Sequence, residues 1–177
     1  RIVARWLYYC QEGLGLHGKV DVEQVVRDIL DFSRRSWERA AVQPILDRPD
    51  GDGPFYLRAR PDEVQQLVAT LLEEVRNFAV ELGHQKVTMT LCSLGTKLEL
   101  GQAEVLLKLQ LHSQIKREVA TAQEQRDFEN LLCAREEQLS QVEQIVEHLG
   151  GRLSSQPSSL AWTLQLFSTP DSDSANP

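Results

Sequence analysis

The sequence predicts an α+β fold, a two-layer sandwich in which helices cover one face of a mixed, mostly antiparallel sheet. Three observations carry this prediction. Apolar residues recur at helical spacing over 22–40, over 64–78 and in the second half of 113–149. Apolar and polar residues alternate over 86–111 and 162–167, which is typical of strands. At 177 residues, the chain is long enough to bury one such core without disulfides or metals.

The first 19 residues are expected to be the end of an upstream helix and a linker. Trp6 and Tyr9 lie on one apolar stripe, which indicates either core packing or the end of a dimerising helix. Glycines at 13, 15 and 18 then break the helical pattern. Asp21 and Gln24 form a capping-box pattern that predicts the start of the next helix.

The segments 42–46 and 55–57 are short and apolar, and a turn-rich stretch at 49–54 lies between them. Its proline, glycine and aspartate residues predict a hairpin connection. Pro61 followed by two acidic residues predicts the start of a helix that Gly83 ends.

After that helix the period changes to two. Strands are predicted at 87–91, 97–100 and 105–111, joined as an antiparallel meander. One long helix is predicted over 113–149, since neither Pro nor Gly occurs before Gly150. The serine-rich stretch that follows is interpreted as a loop, and 162–167 as a last strand. We expect one domain over residues 20–168 and a disordered polar tail over 169–177.

The composition is that of an acidic globular protein. The net charge of -7 and the lack of a basic cluster with interleaved aromatics exclude a protein that follows nucleic-acid phosphates. No apolar run approaches the roughly 18 residues that span a bilayer, so no membrane insertion is expected in this fragment. The cysteines are widely spaced and match no metal-binding pattern, which favours free thiols in the cytoplasm or an organelle stroma. They are Cys10, Cys92 and Cys133.

Two segments and their order resemble a known family. Residues 59–67 (ARPDEVQQL) resemble the approach to the asparagine-bearing helix of the ATP-binding domain of sensor histidine kinases. Residues 145–153 (IVEHLGGRL) resemble the closing helix and double glycine of the same family, which includes gyrase, MutL and related ATPases. A final strand follows at the expected place, and the resemblance covers roughly residues 20–168.

The residues with which this family holds Mg-ATP are missing here. The resemblance implies a helix with metal-coordinating asparagines, an Asp-x-Gly-x-Gly segment that recognises adenine, and a glycine-rich lid. Thr70 and Glu74 stand at the metal-coordinating positions, and Leu111 begins the segment that should contain the aspartate. The lid glycines align near Glu136 and Gln138, within a polar run that is predicted to be helical.

The resemblance and these losses together predict a non-catalytic, kinase-like signalling domain that acts by protein–protein interaction in two-component-type signal transduction. No catalytic residue and no cofactor are predicted, and Gly150 and Gly151 are interpreted as further vestiges of the family's site. The expected partners are a response regulator, a kinase, or a second copy bound through the upstream helix. The candidate partner-binding residues are Arg126, Glu129, Arg135, Trp6 and Tyr9.

Two alternatives stay open at the level of sequence. An active but divergent histidine kinase would need Glu74 as a Mg²⁺ ligand and another group to recognise adenine. A small-molecule sensor would use the emptied cleft, with Trp37 or Trp162 lining it.

The four histidines lack the sequence context of a phosphoacceptor, and no two of them share a helical face as metal ligands. They are His17, His84, His112 and His148. We expect His148 to interact with the last carbonyls of its helix.

Overall fold

A computed structural model describes four stretches of the chain, residues 18–48, 55–93, 104–112 and 119–167. Several predictions fall outside these stretches: the upstream helix with Trp6 and Tyr9, the turn at 49–54, the strand at 97–100, the first residues of the long helix, and the tail.

The described residues form seven strands and four α-helices, which confirms the predicted α+β class. In chain order these are β1 (Gly18–Asp21), α1 (Val22–Arg39), β2 (Gln43–Asp47), β3 (Tyr56–Ala59), α2 (Pro61–Glu81), β4 (Lys86–Ser93), β5 (Glu104–His112), α3 (Ala122–Ala134), α4 (Glu136–His148), β6 (Arg152–Gln156) and β7 (Ala161–Phe167). A short 3₁₀ turn, Pro157–Ser159, joins the last two strands. None of the helices in the described stretches is both long and apolar enough to cross a membrane.

The main sheet has five strands in the order β2-β4-β5-β7-β6, and β1 pairs with β3 in a separate two-stranded sheet. Only the β2–β4 pair is parallel, so the main sheet is mixed and mostly antiparallel, as predicted. Lys86 lies directly opposite His112 in the antiparallel β4–β5 pair.

The two faces of the main sheet differ in burial. On β5 the inward residues are apolar and belong to the core that also contains the helix stripes: Val105, Leu107, Leu109 and Leu111. The intervening residues are half-buried and mostly polar: Glu104, Leu106, Lys108, Gln110 and His112. The helices therefore pack on one face, and we call the other the open face of the sheet.

The predicted hairpin between the second and third strands is wrong. β2 pairs in parallel with β4 in the main sheet, whereas β3 pairs with β1 in the small sheet. A parallel partner needs a crossover rather than a tight turn, and α2 with its flanking chain provides that crossover.

Two further predictions about elements need correction. The serine-rich stretch interpreted as a loop contains β6, a polar edge strand whose side chains are mostly exposed. The single long helix is two helices in its described part, because the chain departs from helical geometry at Arg135 (φ -112°, ψ 22°).

Three helices end in the same hydrogen-bonded turn and then feed a strand. At the end of α4, the amide of Gly150 donates to the Glu147 carbonyl at 2.9 Å, and that of Gly151 to Val146 at 2.8 Å. These two bonds define a Schellman motif, whose key residue adopts positive φ. Gly150 and Gly83 have φ of 68° and 71°, but α1 ends with Ala41 at φ 53°.

Candidate functional site

The candidate site is the region between α2 and the junction of α3 and α4, which we call the α2–α4 cleft. Thr70 and Glu74, which the resemblance aligns with metal-coordinating positions, lie on α2. Glu136 and Gln138, near which the lid glycines align, lie at the start of α4. Glu74 is buried, at 9% relative exposure, although it carries a carboxylate. A buried carboxylate needs a partner.

That partner is Arg135, the residue at the α3–α4 junction. Its Nη1 donates to Oε2 of Glu74 at 3.0 Å, and its Nε donates to Oε1 of Glu81 at 3.1 Å. Nη2 also pairs with Glu81. One guanidinium thus holds two carboxylates that lie two turns apart on α2, and we call this group the Arg135 clamp.

The electrostatics of the clamp favour the ion pairs. The hydrogen bond to Glu81 raises the pKa of the Arg135 guanidinium; partial burial opposes the rise, and the charges of Glu81 and Glu74 add to it. The Arg135 side chain is 22% exposed and that of Glu74 only 12%. Arg135, predicted as a partner-binding charge, is therefore engaged within the chain.

The clamp bears on the possible metal site. The Glu74 oxygen nearest the junction already accepts a charged hydrogen bond, so a Mg²⁺ ion would have to displace the guanidinium. Among the described residues, no group of three or more His, Cys, Asp or Glu side chains is placed to hold a metal ion. Thr70 bonds back to its own helix, its Oγ1 donating to the Gln66 carbonyl at 2.9 Å.

The expected adenine position is apolar. Leu111 is 2% exposed, with its side chain in the core, and its amide donates to the carbonyl of Leu160 at 3.0 Å. Leucine offers no acceptor for an adenine amino group.

Three aromatic rings fill the core beside this position. Phe78 of α2 and Trp162 of β7 meet edge to face, with centroids 4.7 Å apart and planes at 87°. Phe128 of α3 lies 4.7 Å from Trp162 and 5.7 Å from Phe78. Trp162 is therefore a core residue packed by α2 and α3, not a wall of an open cleft, and its Nε1 finds no hydrogen-bond partner in the part of the chain that the structure describes.

Trp37, the other tryptophan of the sensor alternative, lies elsewhere. It is buried and its Nε1 donates to the Ser33 hydroxyl at 3.1 Å. It does line a groove of about 450 Å³ between α1 and β2, together with Leu30, Val42 and Pro44. This groove is separate from the Arg135 clamp, since none of the clamp residues lines it.

A second cavity, of about 340 Å³, lies on the α1 side of the clamp. Arg39, Arg76 and Arg135 line it together with Glu81 and Asn77.

The polar run that the resemblance aligns with the family's lid is held by hydrogen bonds at the start of α3. Thr121 and Glu124 form a capping box at the start of α3, with bonds of 3.2 and 2.7 Å. The amide of Ala120 donates to the Ser158 carbonyl in the 3₁₀ turn at 3.2 Å. Arg126 and Glu129, the predicted docking residues, lie exposed on this helix.

The double glycine has a structural role. Gly150 supplies the positive φ of the α4 terminus, and a Cβ at Gly151 would lie 2.6 Å from the carbonyl oxygen of Gln165. This close contact between α4 and β7 requires glycine whether or not a nucleotide binds.

The described histidines lie outside the clamp. Nε2 of His148, which lies in the last turn of α4, is 3.5 Å from Oε1 of Glu63 on α2. Nδ1 of the buried His84 lies 3.0 Å from the carbonyl of His112, which requires that Nδ1 donate. His17 lies outside the described residues.

Sequence reasoning missed the part that Arg135 plays. It treated this arginine as one of several charges on a solvated helix, although the residue directly precedes the aligned lid positions. An arginine entering that region opposite two acidic residues on α2 was the available signal.

Comparison with solved structures identifies the fold as that of histidine kinase catalytic domains. The catalytic domain of histidine kinase ThkA, in a nucleotide-free form, matches with a TM-score of 0.55 and 10% identity, covering 88% of this chain and 99% of that one. A second nucleotide-free form of the same domain matches with a TM-score of 0.53 and 11% identity, at the same coverage. The histidine kinase AdeS of Acinetobacter baumannii matches with a TM-score of 0.52 and 12% identity, covering 96% of this chain and 76% of that one.

The sequence comparisons add no relative. No protein-family model matches the chain, and neither does any curated protein. At such low identity the structural likeness establishes the histidine-kinase-like ATPase fold, and the chemistry has to be argued from the residues.

Proposed function

We propose that this chain is a non-catalytic, histidine-kinase-like signalling domain that acts by binding other proteins. The observation that supports the proposal most directly is the Arg135 clamp. Beside Glu74, which the resemblance aligns with a metal-coordinating position, this chain has its own cation, the Arg135 guanidinium between Glu74 and Glu81.

The adenine side supports the same proposal. Leu111 is buried where an acceptor is needed, and the Phe78–Phe128–Trp162 cluster packs α3 onto α2 and β7. The clamp and the cluster together couple α3 and α4 to α2 without a nucleotide.

The active-kinase alternative requires Glu74 to bind a metal ion instead of Arg135. It requires this carboxylate to leave Arg135 and coordinate Mg²⁺, which would leave the partly buried guanidinium with Glu81 alone. The sensor alternative named Trp37 and Trp162 as residues that could line a ligand site. In the described part of the chain only Trp37 lines a groove, because Trp162 is enclosed by Phe78 and Phe128.

The surface proposed for protein contact is the exposed side of α3. A capped helix replaces a lid there and presents Arg126 and Glu129 to solvent. Response regulators and kinases are the partner classes that the fold suggests, in the cytoplasm or an organelle stroma. The proposal also includes binding of a second copy of the chain through the upstream segment that contains Trp6 and Tyr9.

Titration with Mg-ATP, followed by calorimetry and thermal unfolding, tests the non-catalytic proposal. We expect no heat of binding and no stabilisation at millimolar Mg-ATP. A ligand at a thousand times its Kd would stabilise by about 4 kcal/mol, so a clear rise in Tm would overturn the proposal. The Arg135→Ala variant serves as the second arm, and we expect it to gain no ATP binding because Leu111 still offers no adenine acceptor.

Charge reversal tests the docking surface. Receiver-domain and kinase proteins encoded in the same genome would be measured for binding to the wild type and to an Arg126→Glu, Glu129→Arg variant. Arg35→Glu, an exposed change on α1, is the matched control. We expect the α3 variant alone to lose binding, and equal binding by all three proteins would contradict the assignment.

A further inference from the structure

The open face of the sheet gathers positive charge although the chain as a whole has a net charge of -7. Lys86 on β4 lies directly opposite His112 on β5, and Lys108 lies on the same face four residues earlier on β5. His84 joins this group through the contact of its Nδ1 with the His112 carbonyl, at 3.0 Å.

This cationic group has no acidic partner in the described part of the chain. Each of the ion pairs there includes at least one residue of a helix, and none includes Lys86 or Lys108. Two carboxylates belong to the main sheet. Asp47, on the edge strand β2, lies in the same row as Lys108 with Thr90 of β4 between them, about 10 Å away, and Glu104 is at the far end of β5, bonded to Gln165.

The hydrogen bonding and the pKa of the His112 imidazole both reflect the lack of a counter-charge among the described residues. Its Nε2 is buried and has no hydrogen-bond partner among the described residues. Burial lowers the pKa of His112, and the charges of Lys86, His84 and Lys108 lower it further. An anion placed among these groups would relieve their mutual repulsion.

The spacing of the charges decides which anion fits. Lys108 and the Lys86–His112 pair are four residues apart along the strand, which is about 13 Å. A single phosphate cannot reach both points, but an extended peptide places the side chains of residues i and i+4 on one side at this same spacing. The floor between the two points is polar and half-buried: Thr88, Thr90 and Gln110.

We propose that the open face of the sheet, at Lys86, Lys108 and His112, binds an extended acidic segment of a protein partner, with carboxylates four residues apart. The segment lies along β5 and places one carboxylate at Lys108 and the other at Lys86, beside His112. The site lies on the face of the sheet away from the helices, so it does not depend on whether the α2–α4 cleft is closed.

Fluorescence anisotropy with a labelled twelve-residue peptide tests this site. The peptide has glutamates at every fourth position and Ser, Thr or Gly elsewhere, and its control has Gln in place of each Glu. At low salt we expect the full chain to bind the first peptide and not the second. Lys86→Gln with Lys108→Gln should weaken binding about tenfold, which corresponds to the loss of roughly two exposed charge pairs.

Arg35→Gln with Arg39→Gln is the matched control, since it removes the same two charges from exposed positions on α1. Equal weakening by this variant would show general charge attraction and overturn the proposal. Full competition by inorganic phosphate at the peptide concentration would also overturn it, because a single-anion site would then suffice.

A second readout does not depend on the affinity of the lysine variants. Binding of the acidic peptide should raise the pKa of His112, which NMR measures. By linkage, the peptide should bind more tightly at about pH 6 than at about pH 7.5. An unchanged His112 titration in the presence of saturating peptide would exclude binding at this place on the sheet.

Discussion

The guanidinium of Arg135 lies 3.0 Å from the carboxylate of Glu74 and bridges the α3–α4 junction to α2. Glu74 is buried on a helix whose other buried residues are apolar except for Gln65, and Arg135 is its ion-pair partner in the described part of the chain. The pair therefore ties the α3–α4 junction to α2.

Replacing Arg135 by Met should lower the free energy of unfolding by about 1–3 kcal/mol, because the buried carboxylate of Glu74 loses its counter-charge. Urea denaturation at neutral pH measures this. Arg126→Met on α3 is the matched control, since Arg126 is exposed and its Nε donates only to the Ala122 carbonyl of its own helix. We expect that control to change stability by less than about 0.5 kcal/mol.

A double-mutant cycle sharpens the test. Glu74→Gln removes the charge while keeping the shape, so its combination with Arg135→Met should cost less than the sum of the two single changes. Strict additivity would mean that the two side chains do not interact in solution.

His112 predicts a pH dependence of stability. Its pKa is lowered from the ordinary value of 6.5, first by burial and then by Lys86, His84 and Lys108, so the unfolded chain binds its proton more readily than the folded one. Stability should therefore fall as the pH drops from about 6.5 to the lowered folded pKa. His112→Gln should remove part of this acid-side loss in thermal unfolding scans, and His148→Gln, at an exposed position, should not.

The sequence predicted elements best where the periodic pattern was long and the terminator was strong. The stripe of α2 and its end at Gly83, and the strands β4, β5 and β7 themselves, follow from local patterns. The direct antiparallel pairing of β4 with β5 does not, because the predicted meander places the strand at 97–100 between them. The sheet partners of β2 and β3 did not, because a turn-rich segment shows that the chain turns but not which strand it pairs with next.

The break at Arg135 could not be predicted from helix propensity. Neither Pro nor Gly occurs nearby, and arginine is a good helix former. The interruption coincides with the ion pairs to α2, which are tertiary contacts. Likewise, β6 is polar because it lies at the sheet edge with most of its side chains exposed, so it lacks the apolar alternation by which strands are recognised.

Ala41 predicts a stabilising substitution. It holds φ 53° at the end of α1, the position at which α2 and α4 have glycine. A side chain costs roughly 1 kcal/mol in this conformation, so Ala41→Gly should raise the free energy of unfolding by about 0.5–1 kcal/mol. Urea denaturation measures the gain. Ala40→Gly, one residue earlier at φ -74°, is the matched control and should not stabilise.

Gly150 and Gly151 are neighbours with different reasons to be glycine, and substitution by Ala separates the two. A Cβ at Gly150 meets nothing within 4 Å, so Gly150→Ala should cost only the strain of φ 68°, about 1 kcal/mol. A Cβ at Gly151 would lie 2.6 Å from the backbone oxygen of Gln165 and 3.2 Å from side-chain atoms of Leu166 and Val146. Because α4 or β7 must move, Gly151→Ala should cost more, about 2–3 kcal/mol. Urea denaturation of both variants checks the order; a larger loss at Gly150 would show that helix termination, not the α4–β7 contact, limits this end of the fold.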